Sequence, residues 1–147
     1  MENVFLWSRE IWTGLALLSG SLLDVRERRL PVWFLGIFGG GSLLLLLASD
    51  LTDWQQIVIG VLPGAFLLLL GRWSGCIGTA DGIVVLILGI LYGGAGCGEL
   101  LMLALLFTGL TAIVLIMLHR ADAKSRLPFL PFLCAGYAAF LLRVAGR

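Results

Sequence analysis

Six apolar runs, each closed by a polar or charged segment, fill most of a 147-residue chain. A helix needs about 20 residues, at ~1.5 Å of rise each, to cross the hydrocarbon core of a bilayer. A soluble domain this small leaves most of its residues near water. With 60% of its residues hydrophobic and only 13% charged, the chain has too little polar surface to cover such runs. The expectation is an all-α polytopic membrane protein, a bundle of six transmembrane helices in a single domain over 1–147.

The runs lie at 3–23, 31–49, 57–70, 82–97, 100–118 and 127–142. In the first, Arg9 and Glu10 leave only 11–23 free of charge. With that pair at the headgroups, 3–8 would lie along the surface, and Trp7 and Trp12 would anchor at the interface. Pro31 suits the first turn of the second helix, where its missing N–H does no harm. The triplet Gly39-Gly40-Gly41 reads as a place of close helix contact. Pro63 predicts a kink in the third helix, and the glycine-rich stretch 93–98 predicts the turn between the fourth and fifth. Pro128 and Pro131 stand near the start of the sixth.

A net charge of +1 argues against a nucleic-acid partner, which needs a concentrated basic face. Cys76, Cys97 and Cys134 occur singly, so they encode neither a zinc site nor a redox dithiol and read as small packing residues. His119, the lone histidine, cannot make a metal site. The N-terminus lacks the basic, apolar, small-residue order of a cleavable signal. Charge position is more telling. Alternate loops put Arg26, Arg28, Arg29, Arg72, Arg120, Lys124 and Arg126 on one side. The other side holds Arg9, Arg143 and Arg147 with Glu2, Glu10, Asp50, Asp53 and Glu99. The more basic side is expected to be cytoplasmic, with both termini outside.

Asp24 and Asp81 then fall at the cytoplasmic face, each beside the end of an apolar run. A carboxylate near hydrocarbon costs ~2.5–3.5 kcal/mol on insertion scales and invites a functional account. Asp81 alone would serve as the N-cap of the fourth helix, and Asp24 alone would pair with Arg26 or Arg28. Together they form a pair able to hydrolyse a peptide bond, one carboxylate activating water and the other, protonated, polarising the carbonyl. Two like charges in contact cannot both ionise easily. The helix ends favour Asp81, at a positive start, as the first to ionise, and Asp24, at a negative end, as the holder of the proton.

The stretch Asp24-Val25-Arg26 through Leu30-Pro31 and the stretch Gly78-Thr79-Ala80-Asp81 resemble the motifs of the type IV prepilin peptidases, including the archaeal preflagellin peptidases. In those enzymes an Asp-x-Arg segment ending in Ile/Leu-Pro follows the first helix, and Gly-x-Gly-Asp precedes the fourth. The run LPFLPFLCAGY, Leu127 to Tyr137, is also similar to a segment of the family's last helix. The resemblance implies that Asp24 and Asp81 are the catalytic pair, supported by Gly78, Ala80 and Gly82. Ala80 stands where the second glycine falls, as archaeal relatives tolerate, and Gly82-Ile83-Val84 replaces a lysine often found after the second aspartate. The long loop with paired cysteines that larger members carry between their first helices is absent here. The expectation is therefore leader-peptide cleavage of prepilins or pseudopilins without methyl transfer, needing neither S-adenosylmethionine nor zinc. Arg26, Arg28 and Arg29 would repel a basic leader and read as topology anchors. Two other readings are a catalytically inactive family scaffold, suggested by Ala80, and a small proton-coupled transporter, for which helices two to six hold scarcely any ionisable groups.

Overall fold

The computed structural model describes residues 2–27, 30–48, 53–74, 78–118 and 128–146. Among them the chain is all-α, without strands. The helices are α1 (Glu2–Glu27), α2 (Val32–Ala48), α3 (Trp54–Ser74), α4 (Thr79–Met117) and α5 (Leu130–Ala145). There are five rather than the six expected, because the anticipated glycine-rich turn over 93–98 shrinks to one residue. Gly93, at φ 67° and ψ −173°, is the break within α4; that backbone region is essentially reserved for glycine.

The break reverses the chain. A straight helix would hold Val85 and Cys97, twelve residues apart, about 18 Å from each other. Instead the Cys97 thiol lies 3.8 Å from the Val85 carbonyl oxygen. α4 is thus two arms, 79–92 and 94–117, folded against each other.

Glycines set how closely α3 meets the first arm. Gly60 and Gly64, four residues apart, share one face of α3. A Cβ on Gly89 would fall 1.9 Å from the Gly60 carbonyl oxygen, and one on Gly64 would fall 2.5 Å from Leu86 Cα. The two backbones touch directly, as small residues at a helix contact allow. α3 runs on through Pro63 without interruption. In the Gly39–Gly41 triplet the contact reading holds at Gly41, against which the Trp12 indole packs, while Gly40 faces open space. Trp12 therefore sits between α1 and α2, donating from Nε1 to Ser42 Oγ at 3.3 Å.

The core joins Leu17 of α1, Phe38 of α2, Val84, Leu88 and Leu100 of α4, and Leu133 of α5. Around it, Leu22, Leu44, Leu69, Met117 and Leu142, one from each helix, are largely exposed. Exposed apolar surface on every element suits a lipid surrounding. Two helices, Trp54–Trp73 and Thr79–Met117, are long and apolar enough to cross a membrane.

Gly93→Ala is expected to lower stability by about 1–3 kcal/mol, the usual cost of a strained backbone site. Gly98→Ala, where an added Cβ meets nothing within 4 Å, should be neutral or mildly stabilising by helix propensity. Thermal unfolding midpoints of the two variants in detergent measure the difference.

Candidate active site

The two aspartates reach one end of the bundle from different elements. Asp24 lies on the last full turn of α1, only 9% exposed. Its Oδ2 accepts the backbone N–H of Leu130 at 3.3 Å, across 106 residues of sequence. Leu130 opens α5, so the third sequence segment singled out above meets Asp24 through its fourth residue. Asp81 stands in the first turn of α4, close enough for its charge and that of Asp24 to act on each other. The ends of α1, α4 and α5 therefore converge on a pair of carboxylates.

Local geometry revises two readings. Asp81 is not the N-cap of its helix: Gly78 is, with extended backbone at φ −65° and ψ 130°. From the third helical position Asp81 reaches back and accepts the Gly78 N–H, as the acidic member of a capping box does. A Cβ on Gly78 would sit 3.0 Å from Asp81 Oδ2, so glycine keeps room for that carboxylate. Gly82 faces elsewhere, since a Cβ there would meet Leu68 Cγ at 2.8 Å; it brings α3 close to α4. Ala80 lies in the first turn of α4, where alanine is the best helix former.

The second revision concerns Asp24. Among the described residues its partner is the positive start of α5 rather than Arg26, which is exposed, while Arg28 lies outside them. The negative end of α1 is thus opposed by the positive end of another helix, so the helix ends do not by themselves make Asp24 the holder of the proton. Asp24 lies just beyond the apolar stretch 11–23. There burial pushes its carboxyl above the usual range, and the Leu130 N–H offsets part of that rise.

A second polar cluster ties the same three helices at the other end. Glu10 Oε2 accepts from Tyr92 Oη at 2.8 Å and from Tyr137 Oη at 2.6 Å. The two hydroxyls lie 3.1 Å apart. Arg9 pairs with Glu10 at 3.0 Å, and its guanidinium carbon lies 4.6 Å from the centroid of the Tyr92 ring. Arg9 and Glu10 thus face into the bundle, and α1 continues back to Glu2 as one helix. The stretch 3–8 is therefore the first part of α1, not a separate surface segment. Sequence reasoning missed this cluster. The available signal was that the chain's only two tyrosines sit within apolar runs, where a buried phenol needs a polar partner. Glu99 and Arg143 also pair, tying α4 to α5.

Cys97 is buried and Cys134 half-buried, both as free thiols. Cys76, His119, Arg28, Arg29, Asp50, Arg120, Lys124, Arg126, Leu127 and Arg147 lie outside the described residues. Comparison with known protein families, with curated proteins and with solved structures finds no match.

Two variants test the two clusters. Tyr137→Phe leaves Glu10 short of a donor and should cost about 1–3 kcal/mol of stability, read from unfolding in detergent. Asp24→Asn should behave in the opposite way. A carboxyl whose folded pKa is raised binds its proton more tightly in the native state. It therefore loses stability as pH rises from the unfolded pKa through the folded one. The neutral amide escapes that loss, so Asp24→Asn should unfold at a higher temperature than the native chain at pH 7 and at the same temperature in acid.

Proposed function

We propose that this chain is a membrane-embedded aspartic endopeptidase that removes the short leader peptide of prepilins or pseudopilins. In this reading the apolar stretches of α1, α2, α3, the two arms of α4, and α5 are six transmembrane spans, with Asp24 just beyond the first. Both termini lie outside, the Asp24–Asp81 end faces the cytoplasm, and the cell membrane is its location. The observation that carries the proposal is the burial of Asp24 within charge range of Asp81 at one end of an apolar bundle. The sequence motifs support it. So does the grouping of Arg9–Glu10 and Glu99–Arg143 in ion pairs on residues that the charge pattern assigns to the outer side.

The chemistry follows from the pair. Close carboxylates share one proton more readily than they carry two charges. The ionised member takes a proton from water, and the water oxygen attacks the carbonyl carbon of the scissile peptide. The protonated member donates to the carbonyl oxygen as that bond polarises. Collapse of the tetrahedral species breaks the C–N bond, and the proton taken from water passes to the leaving amine. No metal or cofactor enters these steps, and methyl transfer forms no part of the proposal.

The experiment is co-expression with a prepilin whose basic leader ends in glycine before an apolar helix. The native chain should release the leader. Asp24→Asn and Asp81→Asn should each lose about a hundred- to ten-thousand-fold of that activity, the usual contribution of a positioned acid or base. Activity retained in either variant would sink the paired-carboxylate reading. If the native chain fails on several prepilins, the inactive-scaffold and transporter readings take its place.

A further inference from the structure

α5 begins in a way that leaves one donor for Asp24. The first N–H groups of a helix have no partners within it. In α5 the next residue after Leu130 is Pro131, which has no N–H, while the N–H groups of Phe132 and Leu133 both turn to the Phe129 carbonyl, at 3.1 and 3.0 Å. The Leu130 N–H is thus the one directed at α1, and Asp24 Oδ2 takes it.

The close approach depends on a missing side chain. Gly20 lies one turn before Asp24 and on the same face of α1. A Cβ at Gly20 would fall 2.8 Å from Leu130 Cδ2 and 3.1 Å from the Phe34 ring. Leu130 is 1% exposed, so it has little room to retreat.

We propose that the Leu130 N–H is the positioning group of the Asp24 carboxylate, turning it toward Asp81 and favouring its ionised form, with Gly20 as the gap that admits it. The kinetic consequence rests on the peptidase reading, whereas the hydrogen bond itself does not. Among the described residues the groups around Asp24 are few. From α4 comes Asp81, and Arg26 and Glu27 on α1 are exposed, as is Arg72 at the end of α3. α2 has no ionisable side chain. α5 contributes Cys134, Tyr137 and Arg143, of which Tyr137 is bonded to Glu10 and Arg143 to Glu99.

The test replaces Leu130 by its α-hydroxy analogue in the full chain, which turns the N–H into an ester oxygen and keeps the side chain. The same exchange at Leu141, deeper in α5, controls for the weakened carbonyl of an ester. A second variant, Gly20→Ala, pushes the start of α5 away from α1. With a purified prepilin, the Leu130 ester should lose about ten- to a hundred-fold in kcat, the worth of a hydrogen bond to a charged group, with KM nearly unchanged. The limb of the pH profile that disappears in Asp24→Asn should move to higher pH, and Gly20→Ala should move it in the same direction. Infrared titration supplies a readout free of activity: the carboxylic acid stretch that Asp24→Asn removes should persist to higher pH in the Leu130 ester. A shifted stretch in a chain that cleaves no prepilin would refute the peptidase reading and keep the positioning role. An unshifted stretch, or an unshifted limb with native kcat, would overturn the positioning role.

Discussion

The reversal at Gly93 is the constraint on which the rest of the bundle depends. Without it, α4 would be a rod of 39 residues, roughly twice the thickness of a hydrocarbon core at 1.5 Å per residue. Folded back, the helix supplies two arms, and the first carries Asp81 at the end away from the turn. It also lets the two arms meet different partners. The first arm lies against α3 through Gly60, Gly64 and Gly89, and the second meets α5, where a Cβ on Gly136 would be 2.9 Å from the Ala104 nitrogen. In water a glycine inside a helix is a weakness of about 1 kcal/mol. In this bundle the same residues create the contact surfaces between helices.

Polar groups then decide which helices stay together. A polar group buried without a partner costs more than a satisfied one gains, so each buried group constrains the element that answers it. Trp12 and Ser42 answer each other across α1 and α2. Glu10 requires the two tyrosines, and Asp24 requires the start of α5.

How far the sequence disclosed this differs from residue to residue. Helix type followed from composition and run length, which depend on each segment alone. The approach of Asp24 and Asp81 was anticipated from charge position and motif, because both stand at ends assigned to the same side. The number of elements was less legible: any glycine in 93–98 could have made the turn, and only the folded backbone, with positive φ at Gly93 and helix through Gly94, Gly96 and Gly98, singles out Gly93. The Arg9–Glu10 pair misled for a related reason. Adjacent opposite charges suit a headgroup boundary equally well, and nothing local reveals hydroxyl donors 82 and 127 residues away. GxxxG at Gly60 and Gly64 was present as a pattern, but its partner glycine on α4 was not predictable from spacing.

The polar clusters also explain how an apolar bundle can hold two carboxylates in a set relation. Asp24 and Glu10 are fourteen residues apart on α1, about 21 Å along the helix axis. Each connects α1 to α5, and each has a neighbour on α4: Asp81 at one end, and Tyr92 beside the Gly93 turn at the other. One such tie would leave the helices free to rotate or slide about it. Two ties that far apart remove both freedoms, much as two pins define a plate where one leaves a pivot. The Glu10 cluster can therefore bear on where Asp24 sits without touching it, through the rigidity of α1 and α5 fastened to each other at both ends.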